Sequence, residues 1–301
     1  MFRGFIGIDW SGARGPRQPG IQLAMAAPGG GAPLTLDPEG LRHWGREAVL
    51  ERLLALADAP DQAPLLVGID FAFAHPFIDE DGYYPGLAAA PRTPAALWAR
   101  VEAECTGDPH LYGGAMFAAP GLADYYLSPR NHGAPRYRSR RRVTELAARA
   151  AARAPSPTFK AIGADNVATG SMAGMRLIHA LRSALGPRLA VWPFDRVDPH
   201  RSEGPAMVLV EIFPSYYFHL AGFNPAKNAA ADPAFMSAAL AAYGSAGVGS
   251  DFTPRGADAD EADALISAAA LRHFAGLPDS WTAPPAAASE GWIFGVPAQD
   301  G

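Results

Sequence analysis

The chain of 301 residues has one cysteine, Cys105, and two lysines, Lys160 and Lys227. A single cysteine excludes an intrachain disulfide framework and any CxxC metal site, and a reducing cytoplasm is the expected compartment. No apolar run approaches the roughly 20 residues that a membrane-spanning helix needs, so no membrane partner is expected. Residues 5–8 are too short for the apolar core of a signal peptide. The absence of a sustained Gly or heptad period excludes a collagen-like or coiled-coil rod. No internal repeat is found. GxSxG, GxGxxG, P-loop and HExxH patterns are missing. No base is evident for Cys105, so nothing supports thiol catalysis. The histidines show no metal-ligand spacing and are expected at the surface or as satisfied core groups. His75 stands apart because it follows Asp70 on one loop.

What is present argues for a folded α/β chain. Hydrophobic residues make up 49% of the sequence and charged residues 18%, enough apolar surface to exclude disorder throughout. Apolar, β-compatible runs predict strands over residues 2–9, 21–26, 33–36, 65–70, 188–194 and 206–213. Helical spacing predicts helices over 44–57, 94–105, 141–153, 171–185, 232–243 and 257–274. Between residues 71 and 160 regular signals fade, and this stretch is expected to be an insertion over one end of the sheet. Strands alternating with helices predict one α/β domain spanning residues 1–301, with a largely parallel sheet.

Two strands end alike, in Gly7-Ile8-Asp9 and Gly68-Ile69-Asp70. In open α/β sheets, sites lie outside the carboxyl ends of strands. If the two strands are parallel neighbours, Asp9 and Asp70 come close enough to share a proton or bind a cation. An all-oxygen site favours Mg²⁺ or Mn²⁺. A third apolar strand ends in Glu211, where a buried charge requires a metal or a partner such as Arg. A fourth group, Asp258-Ala259-Asp260-Glu261-Ala262-Asp263, opens an apolar helix. Asp260 and Asp263, at i and i+3, share a helix face, and Asp263 heads the buried stretch. Asp258 and Glu261 are expected to face solvent.

Acids in this order resemble the ribonuclease H-like superfamily, and Asp260-x-x-Asp263-Ala264-Leu265 resembles the closing helix of RuvC-type resolvases. More narrowly, the chain resembles the domain of unknown function 429 family, described as predicted nucleases of ribonuclease H-like fold. The matching pieces are Gly7-Ile8-Asp9-Trp10-Ser11-Gly12, Gly68-Ile69-Asp70, Gly163-x-x-Asn166-Val167, Trp192-Pro193-Phe194, Glu211-x-x-Pro214 and Asp260-x-x-Asp263-Ala264. The resemblance implies a ribonuclease H-like mixed sheet flanked by helices, carrying a long basic insertion. It also implies two-metal hydrolysis of phosphodiester bonds. Asp9 would then bridge two ions, Asp70 and Asp263 would each hold one, and Glu211 and Asp260 would act as outer ligands or position water.

A formal net charge of −5 argues at first against a nucleic-acid partner. The distribution reverses that argument. Residues 130–160 hold nine Arg and Lys against Glu145 alone, a surplus of eight, so the rest of the chain carries −13. Arg136, Arg138, Arg140, Arg141, Arg142 and Lys160 are the candidates for phosphate contact, with Tyr125, Tyr126 and Tyr137 nearby to stack on bases. DNA or RNA is the expected partner. Two other classes fit parts of the sequence. An actin-fold-like ATP-dependent phosphotransferase would use the 7–12 hairpin start for phosphate and residues 244–249 as a nucleotide loop. A non-catalytic module would bind nucleic acid without turnover.

Overall fold

The computed structural model describes residues 2–163, 166–198, 204–256 and 259–298. Its centre is a six-stranded mixed sheet: β1 (Gly4–Asp9), β2 (Gln22–Ala26), β3 (Leu34–Leu36), β4 (Leu65–Ile69), β5 (Leu189–Val191) and β6 (Met207–Glu211). The spatial order is β3-β2-β1-β4-β6-β5. β1, β4, β6 and β5 run parallel, while β2 is antiparallel to both β1 and β3. The two Gly-Ile-Asp strands are therefore parallel neighbours, paired Gly7 to Gly68 and Ile8 to Ile69.

The period-2 alternation of side chains assigns each strand residue to one of two cores. Ile6, Ile8, Leu65, Val67, Ile69, Met207 and Leu209 face one layer. That layer contains α1 (Arg46–Asp58), α2 (Pro94–Cys105) and α4 (Ala168–Leu185). Phe5, Leu66, Val208 and Val210 face the other, built from α5 (Pro214–Leu220), α6 (Pro233–Ala241) and α7 (Asp260–Ala275). Among the described residues no helix is long and apolar enough to cross a membrane.

α7 lies directly on the sheet. A Cβ at Gly7 would stand 2.5 Å from the Ala264 carbonyl oxygen and 2.7 Å from the Ala268 nitrogen. A Cβ at Gly68 would stand 2.4 Å from Ile212 Cγ2 and 2.9 Å from Leu271 Cδ1. At Gly7 the obstacle is the backbone of α7, whereas at Gly68 it is Ile212 first and the Leu271 side chain of α7 second.

The stretch 71–160 carries α2, two short 3₁₀ turns and α3 (Val143–Ala151). Phe73, Tyr84, Trp98, Tyr126 and Phe159 join the core that holds Ile6 and Leu65, so the insertion shares the sheet's own core. α2 is bounded as its spacing predicts: Thr93 accepts a hydrogen bond from the Ala96 N–H at 3.2 Å, and Pro94 occupies the first turn. α5 and the short α8 (Ala287–Glu290) carry no predicted counterpart, because runs this short lack a readable period.

Candidate active site

The carboxyl ends of β1, β4 and β6, the heads of α4 and α7 and the segment after α3 enclose a cavity of about 700 Å³. Asp9, Asp70, Glu211 and Asp260 line it, with Trp10, Gly12 and Asn166. Side-chain parity divides these acids. Asp9 and Asp70 lie on the face of Gly7 and Gly68, which α7 covers. Because the backbone of α7 rests on Gly7, its first turn reaches the end of β1 and brings Asp260 and Asp263 to Asp9.

The electrostatics follow. Burial, then the negative charges of Asp263, Asp70 and Asp260, and a hydrogen bond with Asp260, all raise the Asp9 carboxyl well above its ordinary value. Asp70 is raised by burial, then by Asp263 and Glu211. Among the described residues no cation appears as an influence on either group. Buried acids that crowd one another this way either retain protons or gather a cation. As the side chains stand, no group of three or more His, Cys, Asp or Glu among the described residues is disposed to hold a metal ion. The donor set is nonetheless all oxygen and strongly anionic, the chemistry that a hard divalent cation takes.

Glu211 pairs in register with Ile69 and so belongs to the opposite face of the sheet. There its charge meets Arg142 from the insertion. Arg142 Nη2 donates to Oε1 at 2.5 Å and Nη1 to Oε2 at 2.7 Å, while the Phe73 N–H donates to Oε2 at 3.0 Å. Of the two ways to resolve a buried Glu at this strand end, the structure shows the arginine. Arg142 is 1% exposed and also donates from Nε to Glu145 Oε1 at 2.9 Å. Glu145 is fully buried, its Oε2 has no hydrogen-bond partner among the described residues, with Arg141 Nη1 at 3.9 Å, and burial outweighs Arg142 to push its carboxyl up to about 7. Sequence gave no sign of Glu145 as a cavity residue, since it occupies an ordinary helical position in α3.

The basic run divides among several environments. Arg140 is buried and held by Asp79, at 2.9 Å from Nε and 2.5 Å from Nη2. Arg136 is exposed and donates to Tyr125 Oη at 2.8 Å. Arg138 is exposed beside Glu80 at 3.7 Å. These three line a smaller cavity of about 240 Å³ that shares no lining residue with the acid cleft. Arg141 donates to the Pro155 carbonyl at 2.6 Å. Lys160 is half-buried on a backbone bridge to Leu127. Of the six candidates only Arg142 lines the acid cleft, and it is committed to carboxylates. Arg153, exposed and without an ion pair among the described residues, is the cation that faces the cavity unengaged.

Other expectations meet physical limits. Glu261 is buried, not solvent-facing, because Thr35 donates to Oε1 at 2.6 Å and the Arg255 N–H to Oε2 at 2.7 Å. Asp258 lies outside the described residues. His75 is fully buried, with Nδ1 at 2.9 Å from Thr158 Oγ1 and Nε2 at 2.9 Å from Tyr126 Oη. Burial, then Arg142 and Arg140, lowers its pKa, which makes it a neutral core group. Residues 244–249 are not among those lining the acid cleft. They pack on α6, where the Val248 N–H donates to Ser237 Oγ at 3.1 Å. Compared with family models, with curated proteins and with solved structures, the chain matches none.

Proposed function

We propose that this protein is a divalent-metal-dependent phosphodiester hydrolase acting on nucleic acid, built on a ribonuclease H-like sheet. The observation that carries the reading is the convergence of Asp9 and Asp70, at the ends of adjacent parallel strands, with Asp260 and Asp263 at the head of α7, and with no cation among the described residues influencing Asp9 or Asp70. The order β3-β2-β1-β4, with an acid at the ends of the first and fourth strands and two acids heading a long helix, agrees with the ribonuclease H-like resemblance.

Asp9 and Asp70 would hold Mg²⁺ or Mn²⁺, with Asp260 and Asp263 completing the oxygen set. When bound, such an ion supplies Lewis-acid activation of water and of the phosphoryl oxygen. The remaining work falls to the chain. Arg153 meets the anionic phosphate across the cavity, and the head of α4 at Thr169 and Gly170 presents a positive dipole end to it. Arg142 keeps Glu211 neutralised, and Glu211 holds the loop after Asp70 by accepting the Phe73 N–H. The phosphotransferase reading loses its nucleotide loop, since residues 244–249 pack away from the cleft.

The test is cleavage of single- and double-stranded DNA and RNA with Mg²⁺ or Mn²⁺. Asp9→Asn and Asp70→Asn should each lower cleavage by about a hundredfold or more while the fold persists, because each removes a metal-holding charge. Metal-independent cleavage, or none with either ion, counts against metal-dependent hydrolysis. Binding that survives Asp9→Asn in a protein that never cleaves identifies a non-catalytic module.

A further inference from the structure

A second cavity, about 680 Å³, adjoins the acid cleft. The two share Gly12, Ala13, Asn166 and Thr169 along a common rim. At that rim the loop after β1 touches the head of α4, since a Cβ at Gly12 would stand 2.2 Å from the Gly170 nitrogen. Only a low backbone ridge therefore separates the cavities.

The lining of the second cavity combines three kinds of group. Arg14 and Arg130 are exposed cations with no side-chain ion pair or hydrogen bond among the described residues. Glu104 and Asp108 are carboxylates already engaged, Glu104 by Arg100 at 2.8 Å and Asp108 Oδ2 by the Ala115 N–H at 2.7 Å. Tyr112 supplies an aromatic wall.

The placement of Tyr112 is built in. His110 and Leu111 precede it with φ of 57° and 52°, a left-handed pair of non-glycine residues that costs energy to maintain. Two arginines hold the segment. Arg46 Nε donates to the His110 carbonyl at 2.8 Å, and Arg176 Nη1 donates to the Tyr112 carbonyl at 2.6 Å. Arg46 Nη1 also donates to the Ser11 and Ala13 carbonyls, both at 3.0 Å, which ties this segment to the loop after Asp9. The ring lies against Gly114, where any Cβ would stand 2.1 Å from Tyr112 Cε1.

We propose that this cavity is a nucleotide subsite, which seats a single-stranded nucleotide flanking the phosphate held at the acid cleft. The proposal rests on the nuclease reading of that cleft. Free guanidinium groups suit phosphate, a fixed aromatic ring suits a base, and engaged carboxylates retain lone pairs for exocyclic amines. A bare polyanion site would lack the last two. The volume lies in the range of small-ligand pockets, and a base enters such a pocket only when it is unpaired and unstacked. Single-stranded DNA and RNA share the chemistry concerned.

The experiment measures anisotropy of labelled short oligonucleotides on the full chain, with Ca²⁺ in place of Mg²⁺. Separate arms use single-stranded DNA, single-stranded RNA and duplex. Arg14→Ala with Arg130→Ala should weaken single-strand binding about tenfold or more and make the log–log salt slope shallower by about 1. Tyr112→Ala should cost about tenfold, and Tyr112→Phe should restore binding because the ring is kept. Arg136→Ala with Arg138→Ala, on the separate cavity, should leave affinity within about twofold. Unchanged affinity in the Arg14, Arg130 and Tyr112 variants overturns the subsite, as does tighter binding of duplex than of single strand, or no binding at all. Normal binding by these variants, in a protein whose metal-dependent cleavage is lost in Asp9→Asn, sinks the subsite and spares the nuclease. Weakened binding in a protein that cuts nothing does the reverse.

Discussion

At the scale of single residues, Arg142 is where the fold takes its largest electrostatic risk. One guanidinium compensates Glu211 and Glu145, both buried, and its Nη1 also donates to the Glu290 carbonyl at 3.1 Å. Removing one partner of a buried ion pair leaves uncompensated charge, a cost of about 3–5 kcal/mol. Arg142→Met should therefore lower unfolding free energy by about that amount in urea titration. Combining it with Glu211→Leu should recover part of the loss, because the stranded charge goes too. An Arg142→Met protein as stable as the native chain would show that Glu211 finds compensation elsewhere.

At the scale of elements, the contact of α7 with β1 sets the position of two acids at once. The helix approaches so closely because Gly7 presents no side chain to the Ala264 carbonyl. Gly7→Ala pushes that backbone outward, since the obstacle is main chain and has no rotamer to change. Overpacking of this kind costs about 1–3 kcal/mol. The substitution should also weaken the Mn²⁺-induced thermal shift, by moving Asp260 and Asp263 away from Asp9. Gly31→Ala, with nothing within 4 Å of its Cβ, is the matched control and should change neither. Equal effects from both would show that the close approach does not position the acids.

At the scale of the molecule, raised carboxyl pKa values couple folding to pH. Burial lifts Glu145 from 4.5 to about 7, and Asp9 and Asp70 move in the same direction. Such groups bind protons more tightly folded than unfolded, so their stabilisation is lost as pH rises through the folded value. His75 and His273, both lowered by burial, act the opposite way, destabilising as pH falls below about 6.5. Above that pH the carboxyls dominate. Between pH 6.5 and 8 in EDTA, unfolding free energy should fall by roughly 1 kcal/mol from Glu145 alone. Glu145→Gln should flatten that part, and Mn²⁺ should offset the part from Asp9 and Asp70. A flat profile in the native protein would mean that the buried acids are compensated in both states.

Most of this architecture was legible in local patterns. Apolar runs marked all six strands to within a few residues, since burial of both faces of a central sheet demands such runs. The i, i+3 spacing of Asp260 and Asp263 and the matching ends at Asp9 and Asp70 were equally readable, because each needs only knowledge of its own element. Parity separates Glu211 from Asp9 and Asp70 only once the pairing of Ile69 with Glu211 fixes the register. The roles of the arginines were not legible. Arg142 and Glu211 stand 69 residues apart, and Arg46 and His110, which hold the Tyr112 segment, 64. Nine basic residues within 31 positions look like one surface in sequence, yet the fold buries Arg140 and Arg142, sends Arg136 and Arg138 to a separate cavity, and leaves Arg153 and Arg130 at the two cavities that adjoin. Hydrophobic and helical periods act over a few residues and are written in the chain. A charge finds its partner across the whole fold, so only tertiary structure decides which arginine neutralises an acid and which is left facing a cavity.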